Sequence, residues 1–141
     1  MAAQVKYDEV EVGTEIPAQT YHVSRLNLVM YAGASGDFNP IHWNETVAKS
    51  VFLPDVIAHG MYTMAQAGRF ITDWAGDPGA VLDYGVRFSG MVVVPNEGGA
   101  TLVISGAVEQ KLDDNKVVVN LTARSNDQKV LTRAKATVQL A

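Results

Sequence analysis

The segment from Gly60 to Ala75 constrains this chain more than any other. Met61, Met64, Ala65, Gly68, Ile71 and Trp74 recur at helical spacing, and Ala67 and Phe70 make the opposite side apolar as well. Only Gln66, Arg69 and Asp73 clearly require water. A helix that is apolar over most of its circumference has to be covered by other elements. Its small residues, Ala65, Ala67 and Gly68, allow a sheet to approach closely. Gly76-Asp77-Pro78-Gly79 ends it, because glycine accepts the left-handed backbone that closes a helix and proline cannot continue one.

The rest of the chain supplies the cover. Beyond residue 80 the periodicity changes from helical to alternating. Residues 81–94 read as a first long strand. Leu102, Ile104, Gly106 and Val108 alternate with Thr101, Ser105 and Glu109. Val117, Val119, Leu121 and Ala123 alternate with Val118, Asn120, Thr122 and Arg124. Val130, Ala134, Ala136, Val138 and Leu140 alternate with Leu131, Arg133, Lys135, Thr137 and Gln139. Residues 95–99, Asp113-Asp114-Asn115 and Asn126-Asp127 are the turns between them, short enough to make the strands antiparallel neighbours. A further strand is expected over 14–23, a helix capped by Ser24 to about Ala34, and a short helix capped by Asn44 to about Val51. The reading is an α+β domain over residues 1–141, with a five-stranded antiparallel sheet wrapped around one long central helix: the hot-dog arrangement, with the extra helices in an overhang. A single open sheet leaves edge strands, which edge-to-edge pairing in a dimer would satisfy.

Composition excludes several classes of protein. The chain has 141 residues, 48% of them hydrophobic, which is one domain with enough apolar material for one core and not a disordered chain. It has no cysteine, so neither a disulfide scaffold nor a thiolate-ligated zinc site is available. The net charge of −4 lacks the basic footprint of a nucleic-acid binder. Its apolar runs are far shorter than the roughly 20 residues of a membrane span, and the first residues carry no secretory pattern. A soluble, cytoplasmic protein is expected, with no nucleic-acid or membrane partner. Lys116, Arg124, Lys129, Arg133 and Lys135 make the C-terminal strands basic, which is either a solvated strand face or a surface for an acidic partner.

The chemistry concentrates in Tyr31-Ala32-Gly33-Ala34-Ser35-Gly36-Asp37-Phe38-Asn39-Pro40-Ile41-His42. Asp37 and His42 are five residues apart across a turn that Pro40 enforces. On a continuous helix they would diverge, whereas the turn can bring carboxylate and imidazole toward one point, as reversible addition of water requires. Asp-x-Asn-Pro is equally an ordinary Asx turn. Ala58-His59-Gly60-Met61 opens the central helix, where free backbone amides can hold a developing oxyanion and Gly60 permits close approach. Alternatively Gly60 begins a tightly packed helix and His59 is a structural core histidine. A metal site of Asp37, His42 and His59 is a lesser alternative. A calcium loop fails at Ile41 and His42, and neither a phosphate-binding loop nor a serine-hydrolase elbow is present. Trp43 and Trp74 read as core or interface residues.

Gly36-Asp37-Phe38-Asn39-Pro40-Ile41-His42 resembles the signature of the MaoC-like, or (R)-specific enoyl hydratase, family, and Ala58-His59-Gly60-Met61 resembles its second landmark. The likeness extends over nearly the whole chain. His42-Trp43, Thr63-Met64, the run from Gly76 to Val81, Val86-Arg87-Phe88 and Val94-Pro95-Asn96 are similar to the mycobacterial-type (3R)-hydroxyacyl-ACP dehydratases within it. Asn44-Glu45 departs from the Asp/Pro-Pro of many members, at a position that affects capping of the following helix.

The resemblance implies a hot-dog dimer that interconverts (3R)-3-hydroxyacyl and trans-2-enoyl thioesters. It implies Asp37 and His42 as the catalytic pair and the Gly60 amide as oxyanion donor, with Asn39 and Ser35 orienting or lining the site. No cofactor is expected. The partners implied are an acyl-ACP or acyl-CoA thioester and a second hot-dog subunit, identical or related. A noncatalytic subunit that shapes an acyl tunnel, and a hot-dog thioesterase, are the alternatives.

Overall fold

A computed structural model describes residues 3–141. Five antiparallel strands, β1 (Glu15–Val23), β2 (Val81–Phe88), β3 (Ala100–Leu112), β4 (Lys116–Ser125) and β5 (Gln128–Gln139), form one sheet in the order β1-β3-β4-β5-β2. Three α-helices, α1 (Arg25–Ser35), α2 (Glu45–Ser50) and α3 (Gly60–Ala75), lie between β1 and β2 in the chain. The expected hot-dog arrangement is the one observed. Among the described residues, no helix is long and apolar enough to cross a membrane.

Local sequence accounts for most boundaries. Ser24 caps α1 in a reciprocal box, its hydroxyl accepting from the Asn27 amide while the Asn27 side chain accepts from the Ser24 amide. Gly36 ends α1 and Gly76 ends α3, each with left-handed backbone at φ 75° and 74°. Asn44 caps α2 by accepting from the Val47 amide. The β4–β5 turn places Asn126 and Asp127 at φ 49° and 59°, the left-handed pair whose twist matches that of the flanking strands. The basic C-terminal strands form a solvated face: Lys135 pairs with Glu109 at 2.7 Å and Lys116 lies 3.5 Å from Asp114.

The core lies between the concave face of the sheet and one side of α3. Leu102, Ile104, Val108, Val117, Val119 and Leu121 point inward with almost no exposure, facing Ala67, Phe70, Ile71 and Ala75. The closest approach is at Gly106, where an added Cβ would stand 3.3 Å from each of Phe70, Leu121 and Val119. Space for the helix thus comes from a glycine in the sheet as much as from small residues on the helix.

Three expectations need correction. The covered side of α3 is Tyr62-Thr63-Ala67-Phe70-Ile71-Ala75 and shares only Ile71 with the expected stripe; Met61 is 55% exposed and Ala65 is also open. One five-stranded sheet reaches only one side of a helix, so the other apolar side is only partly covered: Met64, Gly68 and Trp74 are half-buried, with Tyr84 beside Met64 and Gly68. The strand expected over 81–94 ends at Phe88. Residues 92–94 leave the sheet and pair with 56–58 instead, through Ala58 N–H to Val92 O, Val94 N–H to Val56 O and an Ile57–Val93 bridge. Leu131, expected to face outward, is buried at 1% exposure. Arg133 adopts φ 47° in a bulge that sets Thr132 and Arg133 against Thr122 alone, and the bulge reverses the alternation upstream of it.

Candidate active site

The loop from Ser35 to His42 folds on its own polar groups. The Asp37 amide donates to Ser35 Oγ at 3.2 Å. Asp37 Oδ1 accepts from the Asn39 amide at 3.1 Å, and Asn39 Oδ1 accepts from the Ile41 amide at 3.2 Å. These successive Asx contacts start a 3-10 turn, Pro40–His42, which carries the imidazole inward. Trp43, expected in the core or at an interface, is 48% exposed and so lies outside the core, and its Nε1–H donates to the Phe38 carbonyl at 3.0 Å. The turn brings His42 Nε2 to 3.8 Å from Asp37 Oδ2. That gap exceeds a direct hydrogen bond and leaves both atoms available to a third group.

His42 is buried at 7% exposure. Its Nδ1 lies 2.7 Å from the Ile57 carbonyl, which can only accept, so Nδ1 carries the proton and Nε2 presents a lone pair on the Asp37 side. Burial pushes the imidazole below its ordinary pKa and His59 adds to this, while the Ile57 carbonyl and Asp37 pull the other way. The net result is a neutral ring at neutral pH. Folding therefore opposes protonation of His42, and its contribution to stability is full above the unfolded-state pKa near 6.5 and is lost as pH falls through the lower folded-state value. Denaturant midpoints measured from pH 7 to pH 5 are expected to fall less steeply in His42→Gln than in the wild type. Parallel profiles would refute this.

A cavity of about 260 Å³ opens beside the ring, lined by His42, Ile57, Gly60, Thr63, Phe88 and Met91 among others, and its wall is mostly apolar. Gly60 is the first residue of α3, so its amide has no acceptor within the helix. A Cβ there would stand 3.1 Å from the Phe88 ring, so the absence of a side chain keeps this corner open. His42 and Gly60 thus line the cavity at one end of α3, and Asp37 stands beside His42 without lining it. Asn39 and Ser35 act on the loop and do not line this cavity. The sequence reading missed Thr63, Phe88 and Met91 as site residues; they arrive from α3, the end of β2 and the segment after it, and no short motif links them to the loop. A larger recess of about 480 Å³, between β1 and the C-terminal half of α3, is lined by Tyr21, Arg69, Asp73 and Trp74 and lies away from this pair.

Ligand atoms of Asp37, His42 and His59 lie within 4.8 Å of one another. The two imidazoles are stacked, with centroids 3.8 Å apart and an interplanar angle of 23°. Their in-plane lone pairs therefore run in nearly parallel sheets and do not converge on one ion. The geometry suits proton transfer better than metal ligation.

The fold and this loop define a class: a hot-dog domain with a carboxylate–imidazole pair at the N-terminal end of its central helix. The chain belongs to the family described as MaoC like domain, which matches residues 8–127. It is 41% identical over 83 residues to 3-hydroxyacyl-thioester dehydratase X of Mycobacterium tuberculosis, covering 59% of this chain and 29% of that protein. It is 29% identical over 119 residues to the (R)-specific enoyl-CoA hydratase of Rhodospirillum rubrum, covering 84% of this chain and 80% of that one. A solved MaoC-like dehydratase superposes with a TM-score of 0.94 at 41% identity, covering 96% of this chain and 42% of its own. The chain thus spans under half the length of two of these relatives.

Proposed function

We propose that this chain catalyses the reversible dehydration of (3R)-3-hydroxyacyl thioesters to trans-2-enoyl thioesters. The observation that carries this reading is the approach of a neutral His42 Nε2 to Asp37 Oδ2 beside an apolar cavity that also receives the Gly60 corner of α3. Family membership and the hydratase and dehydratase names of the relatives support it.

In the dehydration direction His42 Nε2 takes the proton from C2. The electron pair left on C2 forms the C2–C3 double bond as the C3–O bond breaks, and His42 passes the proton it has gained to the departing hydroxyl, which leaves as water. The Asp37 carboxylate, 3.8 Å from Nε2, steadies the imidazolium while it holds that proton and accepts a hydrogen bond from the C3 hydroxyl, so the pair ends as it began. Enolate charge developing on the thioester oxygen is met by the Gly60 amide at the positive end of α3. Hydration is the reverse, with both groups positioning the attacking water. These steps need neither a metal nor a redox cofactor.

The acyl group would arrive on a phosphopantetheine arm, from acyl carrier protein or coenzyme A. The partly covered side of α3, with Met61 exposed, and the exposed Phe88 and Met91 of the cavity lining favour a second hot-dog subunit, identical or related, as the rest of the acyl wall. A cytoplasmic setting suits this substrate. A thioesterase is disfavoured because the polar residues of α3 offer no base: Gln66 donates to the Tyr62 hydroxyl, and Arg69 is exposed beside Asp73.

The test is turnover of trans-2-enoyl-CoA by the purified chain, followed by loss of enoyl absorbance, with enoyl-ACP and a second hot-dog subunit as further arms. Turnover in any arm is the expected result. Folded protein silent in all of them would end the reading, and free thiol without hydration would revive the thioesterase.

A further inference from the structure

We propose that His59 is a positioning residue for the Asp37–His42 pair, holding both halves of it at once through a ring stack on one and a hydrogen bond to the main chain of the other. This rests on the reading of that pair as the acid–base centre. His59 is 2% exposed. Its ring lies against that of His42, and its Nε2–H donates to the Asp37 carbonyl at 3.1 Å. The hydrogen bond from His42 Nδ1 to Ile57 selects the tautomer only while the ring keeps its tilt, and that bond alone does not fix the tilt. The stack fixes the tilt, so Nε2 is aimed as well as deprotonated.

Asp37 needs this help because its side chain is 52% exposed and packing does little to hold it. Its loop contacts to Ser35 and Asn39 are local and move with the loop. The bond from His59 ties the loop to the start of α3, the element that also carries Gly60. Tyr31 in turn supports His59, meeting its ring edge-on at 4.9 Å, and Tyr31 packs edge-on against Tyr62 at 5.5 Å. The titratable groups around His42 and its stack are therefore Asp37, His59, Tyr31 and Tyr62.

A purely structural residue would not be built this way. His59 Nδ1 is buried without a protein hydrogen-bond partner, a desolvation cost that a phenylalanine filling the same space would avoid. What phenylalanine lacks is the donor to Asp37. A leucine lacks both donor and stack.

The experiment compares His59→Leu, His59→Phe and His59→Gln with the wild type in two measurements. One is imidazole ¹⁵N NMR of His42, which reports tautomer and titration without substrate. The other is kcat and KM for enoyl-thioester hydration. In His59→Leu we expect His42 to lose its single Nδ1–H tautomer and kcat to fall roughly 10–100-fold, as a small misplacement of a reacting group does, with KM within about twofold. His59→Phe, keeping the stack, and His59→Gln, keeping a donor, should each recover part of the loss. Unchanged tautomer and kcat in folded His59→Leu would overturn the proposal, and so would lowered thermal stability alone. Should His59→Leu fail to fold, the other two decide by the same criteria. Should the wild type lack hydratase activity, the functional reading fails, and the NMR arm alone upholds or overturns the positioning.

Discussion

Asp37→Asn is expected to lower the hydration and dehydration rates by about 10²–10⁴-fold, the range general acid–base catalysis supplies, with little change in stability. Asparagine has the same shape, and its oxygen can still accept from the Asn39 amide in the place of Asp37 Oδ1. The side chain is 52% exposed, so no core contact is lost. What disappears is the carboxylate charge opposite His42, which steadies the imidazolium that forms as the proton moves between C2 and the hydroxyl. His42→Ala should cost as much or more, because it removes the base outright. Its burial makes circular dichroism and a thermal melt necessary controls. Either variant, folded and within tenfold of wild-type kcat/KM, would remove that residue from the mechanism.

Phe70→Ala is expected to destabilise the fold by about 3–5 kcal/mol, the usual cost of emptying an aromatic site in a core. Phe70 is 2% exposed and is the residue of α3 that meets the sheet at Gly106. Much of the net stability of a domain this size, about 5–15 kcal/mol, rests on such a contact. Urea denaturation would measure it. A double variant tests the geometry as well: in Phe70→Leu the added methyl of Gly106→Ala should occupy released space, so the pair should lose less than the sum of the single changes. In the native core that methyl would be pressed by three side chains at 3.3 Å. Additive losses would show that the two residues do not share a contact.

Elements with strong local signals were legible in the sequence. Ser24, Asn44, Gly36 and Gly76 mark helix ends by chemistry that acts over a few residues, and all four boundaries fall as expected. Strand β4 alternates cleanly because it is a central strand with neighbours on both sides and one face to the core. The misreadings have long-range causes. Residues 92–94 are apolar enough to continue the strand, but the 56–58 segment takes over their pairing. Leu131 changes face because of a bulge two residues away. In the site, the Asp37–His42 spacing was legible because Pro40 and the Asx contacts act locally. The role of His59 was not, because an isolated buried histidine gives no indication of what lies against its ring.

The sequence alone determined that one long apolar helix must be covered by alternating strands, and that a proline-enforced turn puts a carboxylate and an imidazole within reach of each other. Both follow from backbone sterics and side-chain period, which act over ten residues or fewer. Only the tertiary structure decided which side of α3 is covered, where the sheet bulges, that His42, Gly60 and Phe88 meet around one cavity, and that His59 lies against the His42 ring. Those outcomes depend on contacts between segments tens of residues apart, and each is set by how volumes fit once the sheet has curled around the helix.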